Sequence, residues 1–233
     1  VPFVMELPNY RLPSAKSVGL LLWDKAKDFL ERAFTVIFVA TIVIWFLQTF
    51  DTRINVVADS ADSMLAQIGR FISPVFAPLG FGDWRSTVAT FTGLVAKENV
   101  VATFGVLFQY TGEISEAGEE IWPQIHAAFT PIAAYSFMIF NLLCAPCFAA
   151  MGAIKREMNN PKWTFGAIGY MCGFAYVIAM IVYQIGGFIT GEVPLTLFTV
   201  IAAVLLAGLI YLLIRPYKES KTLQVELKET AKI

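Results

Sequence analysis

Charge is scarce in this 233-residue chain: Asp, Glu, Lys and Arg make up 15% of it, the net charge is -1, and the mean hydropathy reaches +0.65. Soluble domains carry about 25% charged residues, and too little polar surface exists here to cover the 57% of residues that are apolar. A water-soluble fold is excluded. Near-neutral charge also removes any basic field that would recruit nucleic acid, and any acidic one that would draw cations from a distance. Cysteine is limited to Cys144, Cys147 and Cys172, all within apolar stretches, which excludes a secreted disulfide framework. No Gly-Lys pair occurs, so these residues form no GxxxxGK[ST] phosphate loop and bind no nucleotide by that device. Val1 opens the chain without an initiator Met or a cleavable signal pattern. Residues 1–13 (VPFVMELPNYRLP) read as a Pro-punctuated linker, the start of a piece of something longer.

What is abundant is apolar run length. Residues 33–50 (AFTVIFVATIVIWFLQTF) contain no charge, and at about 1.5 Å per residue they reach about 27 Å, close to a hydrocarbon core. Runs over 86–109, 125–153, 164–189 and 195–214 follow. Residues 63–79 are weaker, with Gln67, Arg70, Pro74 and Pro78, and read as a span or a re-entrant segment, since irregular backbone at depth is tolerated where protein or a cavity surrounds it. Residues 14–32 begin at Ser14, a candidate N-cap, and mix Leu20, Leu21, Trp23, Phe29 and Leu30 with Lys16, Lys25, Lys27, Asp28 and Glu31. That pattern suits a helix at the membrane surface, with a soluble connector helix as the alternative. The expected fold is an all-α polytopic transmembrane helical bundle of about five to six spans with an N-terminal interfacial amphipathic helix. Its expected division is 1–32 (linker and interfacial helix), 33–154 (main membrane unit), 155–215 (C-terminal transmembrane helices) and 216–233 (polar tail).

Basic residues near span ends set an expected orientation. Lys16, Lys25, Lys27, Arg32, Arg85, Lys155, Arg156, Lys162, Arg215, Lys218 and Lys221 fall on one side if 63–79 and 86–109 form a down-and-up pair. Arg53, the acidic loop 111–120 and Glu192 fall on the other. The positive side is cytoplasmic, so both termini are expected there. Glu113, Glu116, Glu119 and Glu120 face outward, either concentrating cations at an entrance or forming a solvated loop.

Chemistry is expected where apolar spans carry residues they would otherwise exclude. The segment GLVAKENVVATFG sets Lys97, Glu98 and Asn99 in mid-run, and intramembrane charges face a bundle interior, a partner or an aqueous path. Neighbouring helical residues point about 100° apart, so Lys97 and Glu98 are poorly placed to pair and need separate partners. The second feature is Asn141-Leu-Leu-Cys144-Ala-Pro146-Cys147, with Met151 four residues on. Spacings of three and four place Asn141, Cys144, Cys147 and Met151 along one side of a helix. Pro146 has no N–H for the Leu142 carbonyl, so it kinks or opens that helix and bares a carbonyl beside two sulfurs. Thiols, an amide oxygen and a thioether suit a transient site for a soft-to-borderline divalent cation. The alternative is two small buried hydrophobes and a packing proline. One Cys pair does not complete a closed four-ligand zinc site.

The opening PFVMELPNYRLP, the segment GFGDWRSTVATFTGLVAKENVVATFG, and NLLCAPCFAAMGAIKREM followed by Trp163 resemble the C-terminal membrane half of the ferrous iron transport protein B (FeoB) family over essentially the whole chain. The resemblance implies a bacterial inner-membrane, multi-pass protein that takes up Fe(II), with this chain as its second Gate unit and flanking helices. It implies Cys144 and Cys147, beside Pro146, as iron-path residues, and Ala96, Lys97 and Glu98 as the matching segment of the Gate pattern. Candidate metal contacts are therefore Cys144, Cys147, Glu98, Asn141 and Met151. No resident cofactor is implied: Fe(II) is the transported substrate. Expected partners are the bilayer, the family's N-terminal G domain and its first Gate unit, with a homo-oligomer left open and no nucleic acid. GTP enters only through that G domain, so no enzyme activity is expected of these residues. A Gate-type permease for another solute such as a nucleoside, or a non-conducting membrane anchor, are the alternatives. The Cys pair separates them, because metal passage can use it and nucleoside recognition does not need it.

Overall fold

The computed structural model describes residues 14–57, 59–97, 99–110, 112, 115 and 118–215. Glu98, Glu113, Glu116 and the expected linker and polar tail lie outside the described residues. The architecture is an all-α membrane bundle. Helix α1 (Ala15–Thr49) starts at Ser14, whose hydroxyl accepts from the Ser17 N–H, as the sequence predicts. The amphipathic segment 14–32 and the apolar segment 33–50 form one unbroken helix of 35 residues. At about 1.5 Å per residue that is roughly 52 Å, more than a hydrocarbon core. Trp23, Leu21 and the Lys27–Glu31 pair of its first half are exposed, and only its second half packs against the bundle.

After α1 come α2 (Met64–Phe76) and α3 (Trp84–Gly93), which meet at 94° across a turn at Gly80. Pro74 and Pro78 explain the irregular end of α2: neither offers an N–H, and the chain tightens into a short 3-10 turn over Ala77–Leu79. Then follow α4 (Asn99–Leu107), α5 (Trp122–Ala128), α6 (Pro131–Leu143), α7 (Phe148–Met158) and α8 (Pro161–Ile181). A π-helical turn over Val182–Gly186 leads into α9 (Gly187–Thr190), and α10 (Leu197–Ile214) ends the described chain. Among the described residues, three stretches are long and apolar enough to cross a membrane: 131–158, interrupted midway, 161–190 and 197–214.

The expected single span over 86–109 is overturned. Helices α3 and α4 fold back on each other as an antiparallel hairpin. Thr103 Oγ1 meets Thr92 Oγ1 at 2.9 Å near the tip, and Val88 and Leu107 share a cluster near the base. Ten and nine residues give about 15 and 14 Å, half a bilayer each, so neither arm spans. Arg85 moves with this correction. Its guanidinium stacks on Trp84 and Phe108, next to Gln109, whose amide donates to Asp59 at 3.0 Å. Arg85 therefore sits at the Asp59 end of the bundle, opposite the end expected for it.

Between helices in lipid, close packing and polar contacts replace the hydrophobic drive. Fully buried Ala175, Ala179 and Ala202 let backbones approach, and Ser136 donates to the Ala179 carbonyl at 3.0 Å between α6 and α8. Phe76, Phe81, Phe104, Phe137 and Phe140 interlock with centroids 5.2–5.9 Å apart. Gln184, 3% exposed in the π turn, donates to the Pro78 carbonyl at 2.7 Å and accepts from Thr199 at 3.1 Å, tying the α2–α3 turn to α10. Gln184→Leu strands the Pro78 carbonyl, and a buried orphan costs about 1–3 kcal/mol. The purified full-length protein should melt several degrees lower, read by intrinsic fluorescence; an unchanged melting temperature would remove Gln184 from the fold's supports.

Candidate functional site

Two chain interruptions meet in the bundle. At the hairpin tip, Leu94 N–H bonds to Phe91 O, Val95 N–H to Thr92 O and Asn99 N–H to Ala96 O, each 3.0–3.1 Å, so the backbone reverses through tight turns. Gly93 permits the reversal: a Cβ there would lie 2.8 Å from the Val100 side chain and 3.5 Å from Asn141 Oδ1. The second interruption follows α6, where Cys144 adopts an extended conformation (ψ 174°) and α7 restarts only at Phe148. Phe148 N–H donates to Leu94 O at 3.0 Å. That bond joins the two interruptions directly.

Lys97 crosses the junction. Its ammonium donates to the Asn141 carbonyl at 2.6 Å and to the Leu142 carbonyl at 3.2 Å. Those are end carbonyls of α6, which carry the negative end of the helix dipole. The Leu142 carbonyl expected to be bared by Pro146 has no backbone partner among the described residues, and it accepts from the Lys97 ammonium. Lys97 thus finds partners on another element, and it lies in the turn before α4, not on a helix.

The helix-face expectation is corrected. Pro146 does not kink a continuous helix; with Cys144 extended, it ends one, so Asn141 and Met151 belong to different helices and spacings of three and four no longer align them. Asn141, on the last turn of α6, donates its amide to Phe137 O at 2.9 Å. Cys144 is buried, and its thiol points to Asn141 O at 3.4 Å. Asn141, Cys144 and Lys97 therefore share one side of the junction. Cys147 is half-buried at the N-cap of α7, and Met151 is half-buried one turn further on. Among the described residues no three His, Cys, Asp or Glu side chains converge to hold a metal. At the junction the structure shows the Cys144 sulfur and main-chain oxygens, while Cys147 stands at the start of the next helix. Sequence reasoning missed Thr92 and Thr103, which hold the hairpin arms together.

Two acids outside the membrane-crossing stretches are held below their ordinary values. The Thr52 N–H, 2.6 Å from Asp51 Oδ1, holds that carboxyl below its ordinary value. Glu120 is lowered by its own backbone N–H and by the Ser115 hydroxyl and N–H.

Residues 30–161, which contain both interruptions, match the family model described as Gate, nucleoside recognition. The chain belongs to the Gate family. Residues 1–25 match the model for the ferrous iron transport protein B C terminus. Over 185 residues the chain is 38% identical to the Fe(2+) transporter FeoB of Staphylococcus aureus strain COL, covering 79% of this chain and 27% of that protein. It is 34% identical over 230 residues to a Fe(2+) transport protein A/Fe(2+) transporter FeoB fusion protein of Porphyromonas gingivalis, covering 80% and 27%. With the FeoB of Methanocaldococcus jannaschii the identity is 35% over 190 residues, covering 78% and 27%. No solved structure matches. The Gate chain corresponds to the C-terminal membrane portion of FeoB proteins and spans about a quarter of the length of the relatives it matches.

Proposed function

We propose that this chain is part of the membrane portion of a Fe(II) uptake transporter, and that the ion passes the junction of the two interrupted helices. The observation that carries this reading is Lys97: a tethered cation rests on two carbonyls at a helix C-terminus, beside a buried thiol. Unwound carbonyls and half-helix ends at mid-depth are how repeat-built transporters hold cations. The ammonium takes the position a metal ion would take, and Fe(II) displaces it. Cys144 and Cys147 supply soft donors on either side of the break, the Asn141 and Leu142 carbonyls supply oxygen, and Met151 lies along the exit. Glu98, next to Lys97 in the chain, compensates charge while the ammonium is displaced.

The sidedness follows from charge. Lys16, Lys25, Lys27, Lys155, Arg156, Lys162 and Arg215 mark the cytoplasmic end, and both termini lie there, in a bacterial inner membrane. Arg53, Arg70 and Arg85 are the basic residues of the opposite half, which also holds the acids Asp51 and Asp59. GTP hydrolysis, where it drives uptake, acts through a G domain elsewhere in the full-length protein.

Anaerobic Fe(II) uptake by the full-length protein in proteoliposomes tests the path. Cys144→Ser with Cys147→Ser should lower uptake at least about tenfold, since oxygen replaces sulfur at a borderline-soft ion, with the melting temperature retained; Glu98→Gln should also lower it. Competition by Mn(II) or Zn(II) but not by nucleosides is expected. Wild-type uptake in the double Cys variant would end the ligand role, and competition by nucleosides would favour the permease reading.

A further inference from the structure

Two arginines at the crossing of α2 and α3 share one ring. Arg70 Cζ lies 5.6 Å from the Trp84 ring centroid and Arg85 Cζ 5.0 Å from it, and Arg85 Cζ is also 5.6 Å from the Phe108 centroid. Gly69 makes the arrangement possible. A Cβ there would meet the Trp84 carbonyl at 3.0 Å and a Val88 methyl at 2.9 Å, so glycine lets α2 cross close to the start of α3, and Arg70, the next residue, reaches the indole. The inward face of α2 holds Leu65, Ala66, Gly69 and Phe76. Its outward face is Ile68, Phe71 and Val75, with Phe71 86% exposed. Arg70 therefore emerges from an apolar surface, at the end of the bundle where Arg85 sits beside the Gln109–Asp59 bond.

Among the described residues neither guanidinium has a counter-ion or a hydrogen-bond partner, and the Nε atom of Arg85 is buried without one. Asp83, the carboxylate nearest in sequence, caps α3 by accepting from the Arg85 backbone N–H at 3.1 Å. An aromatic face attracts a cation but does not neutralise it, and two like charges on one ring repel. Arginines at membrane depth reach a partner or snorkel to the headgroups. A phosphodiester fits this need: its two free oxygens match the paired N–H groups of a guanidinium, and Trp is enriched at the same headgroup level.

We propose that Arg70 and Arg85, held on Trp84, form a binding site for the phosphate of an anionic phospholipid whose acyl chains lie along Ile68, Phe71 and Val75. The site is separate from the Lys97 junction and does not depend on the transport reading. By bridging α2 and the base of α3, the lipid braces the corner from which the hairpin projects.

Delipidated full-length protein in detergent would be titrated with phosphatidylglycerol or with phosphatidylcholine of the same acyl chains, and bound lipids counted by native mass spectrometry. The first phosphatidylglycerol should bind at least about fivefold more tightly than phosphatidylcholine, the size expected for one arginine near an anionic headgroup. Arg70→Gln should weaken it severalfold, and Arg70→Gln with Arg85→Gln should bring it to the phosphatidylcholine level. Arg53→Gln, at an exposed charge that does not stack on Trp84, should leave it unchanged. Arg70 is exposed, so Arg70→Gln alone decides the matter should the double variant fail to fold. Equal affinity for the two lipids, or undiminished phosphatidylglycerol binding by Arg70→Gln, overturns the site. An equal loss in Arg53→Gln also overturns it, since overall charge would then explain the binding. Displacement of phosphatidylglycerol by excess inorganic phosphate at matched ionic strength would mark a free-anion site and overturn the lipid as its occupant.

Discussion

Replacing Lys97 with Met is expected to lower both the maximal rate of Fe(II) uptake and the Fe(II) concentration that half-saturates it. The ammonium spans two carbonyls at the C-terminal end of α6, so in the ion-free protein it neutralises the dipole end that an incoming cation would use. A ligand shifts a two-state equilibrium only through its different affinity for the two states. A tethered competitor therefore weakens apparent ion binding and, by returning, speeds release. Hydrogen bonds to charged groups contribute about 1.5–3 kcal/mol, which corresponds to roughly a 10- to 150-fold change in the balance between ammonium-filled and ion-filled junction. Methionine keeps the length of the side chain and removes the charge. Tighter half-saturation with slower turnover is the signature; a merely structural role would lower the rate and leave half-saturation unchanged or raise it. Lys97→Arg should keep most of the rate, since its charge can still reach the carbonyls. Uptake kinetics in proteoliposomes, with melting temperature as a fold control, read all of these, and an unaltered Lys97→Met rate would take Lys97 out of the path.

Much of the site could be read from residue types before the fold was known. Pro146 cannot satisfy Leu142, and that alone located a bare carbonyl beside Cys144. Lys97 was legible as a costly residue in need of a partner, and it finds one on another element. What sequence could not supply was that these two observations describe one place, because residues 97 and 141 are joined only by tertiary packing. The single span expected over 86–109 failed for a related reason. Its hydropathy is that of a crossing helix, but a polar tip with Lys97 and Asn99 behind Gly93 divides it into two arms of half-bilayer length. That division was present in the sequence as a polar interruption midway through an apolar run. The helix-face alignment of Asn141, Cys144, Cys147 and Met151 assumed that a proline bends a helix, whereas Cys144 leaves helical geometry before Pro146 is reached. The π turn at Val182–Gly186 had no sequence signal: Gln184 in an apolar run marks a buried polar contact but not its register.

The turn between α2 and α3 is where the largest stability effect is expected, from Gly80→Ala. Gly80 sits at φ +89°, a left-handed conformation that costs a residue with a Cβ about 1–2 kcal/mol. The added Cβ would also overlap the ring of Tyr183, and forcing a methyl into a packed site costs about 1–3 kcal/mol more. A combined loss of about 2–5 kcal/mol is a large share of the 5–15 kcal/mol that holds a typical domain folded, and should lower the melting temperature by more than about 5 °C. The harm should spread along the chain. Tyr183 precedes Gln184, so pushing the ring aside pulls the Gln184 amide from the Pro78 carbonyl and frees the 94° turn that aims α3. Since α3 carries the tip with Lys97, Fe(II) uptake should fall with stability. Gly80→Ala combined with Tyr183→Leu separates the causes: the smaller side chain relieves the overlap and leaves the backbone strain, so part of the melting temperature should return. A Gly80→Ala protein that melts like wild type would mean that the turn tolerates a Cβ, and that the ring contact does not hold the hairpin in place.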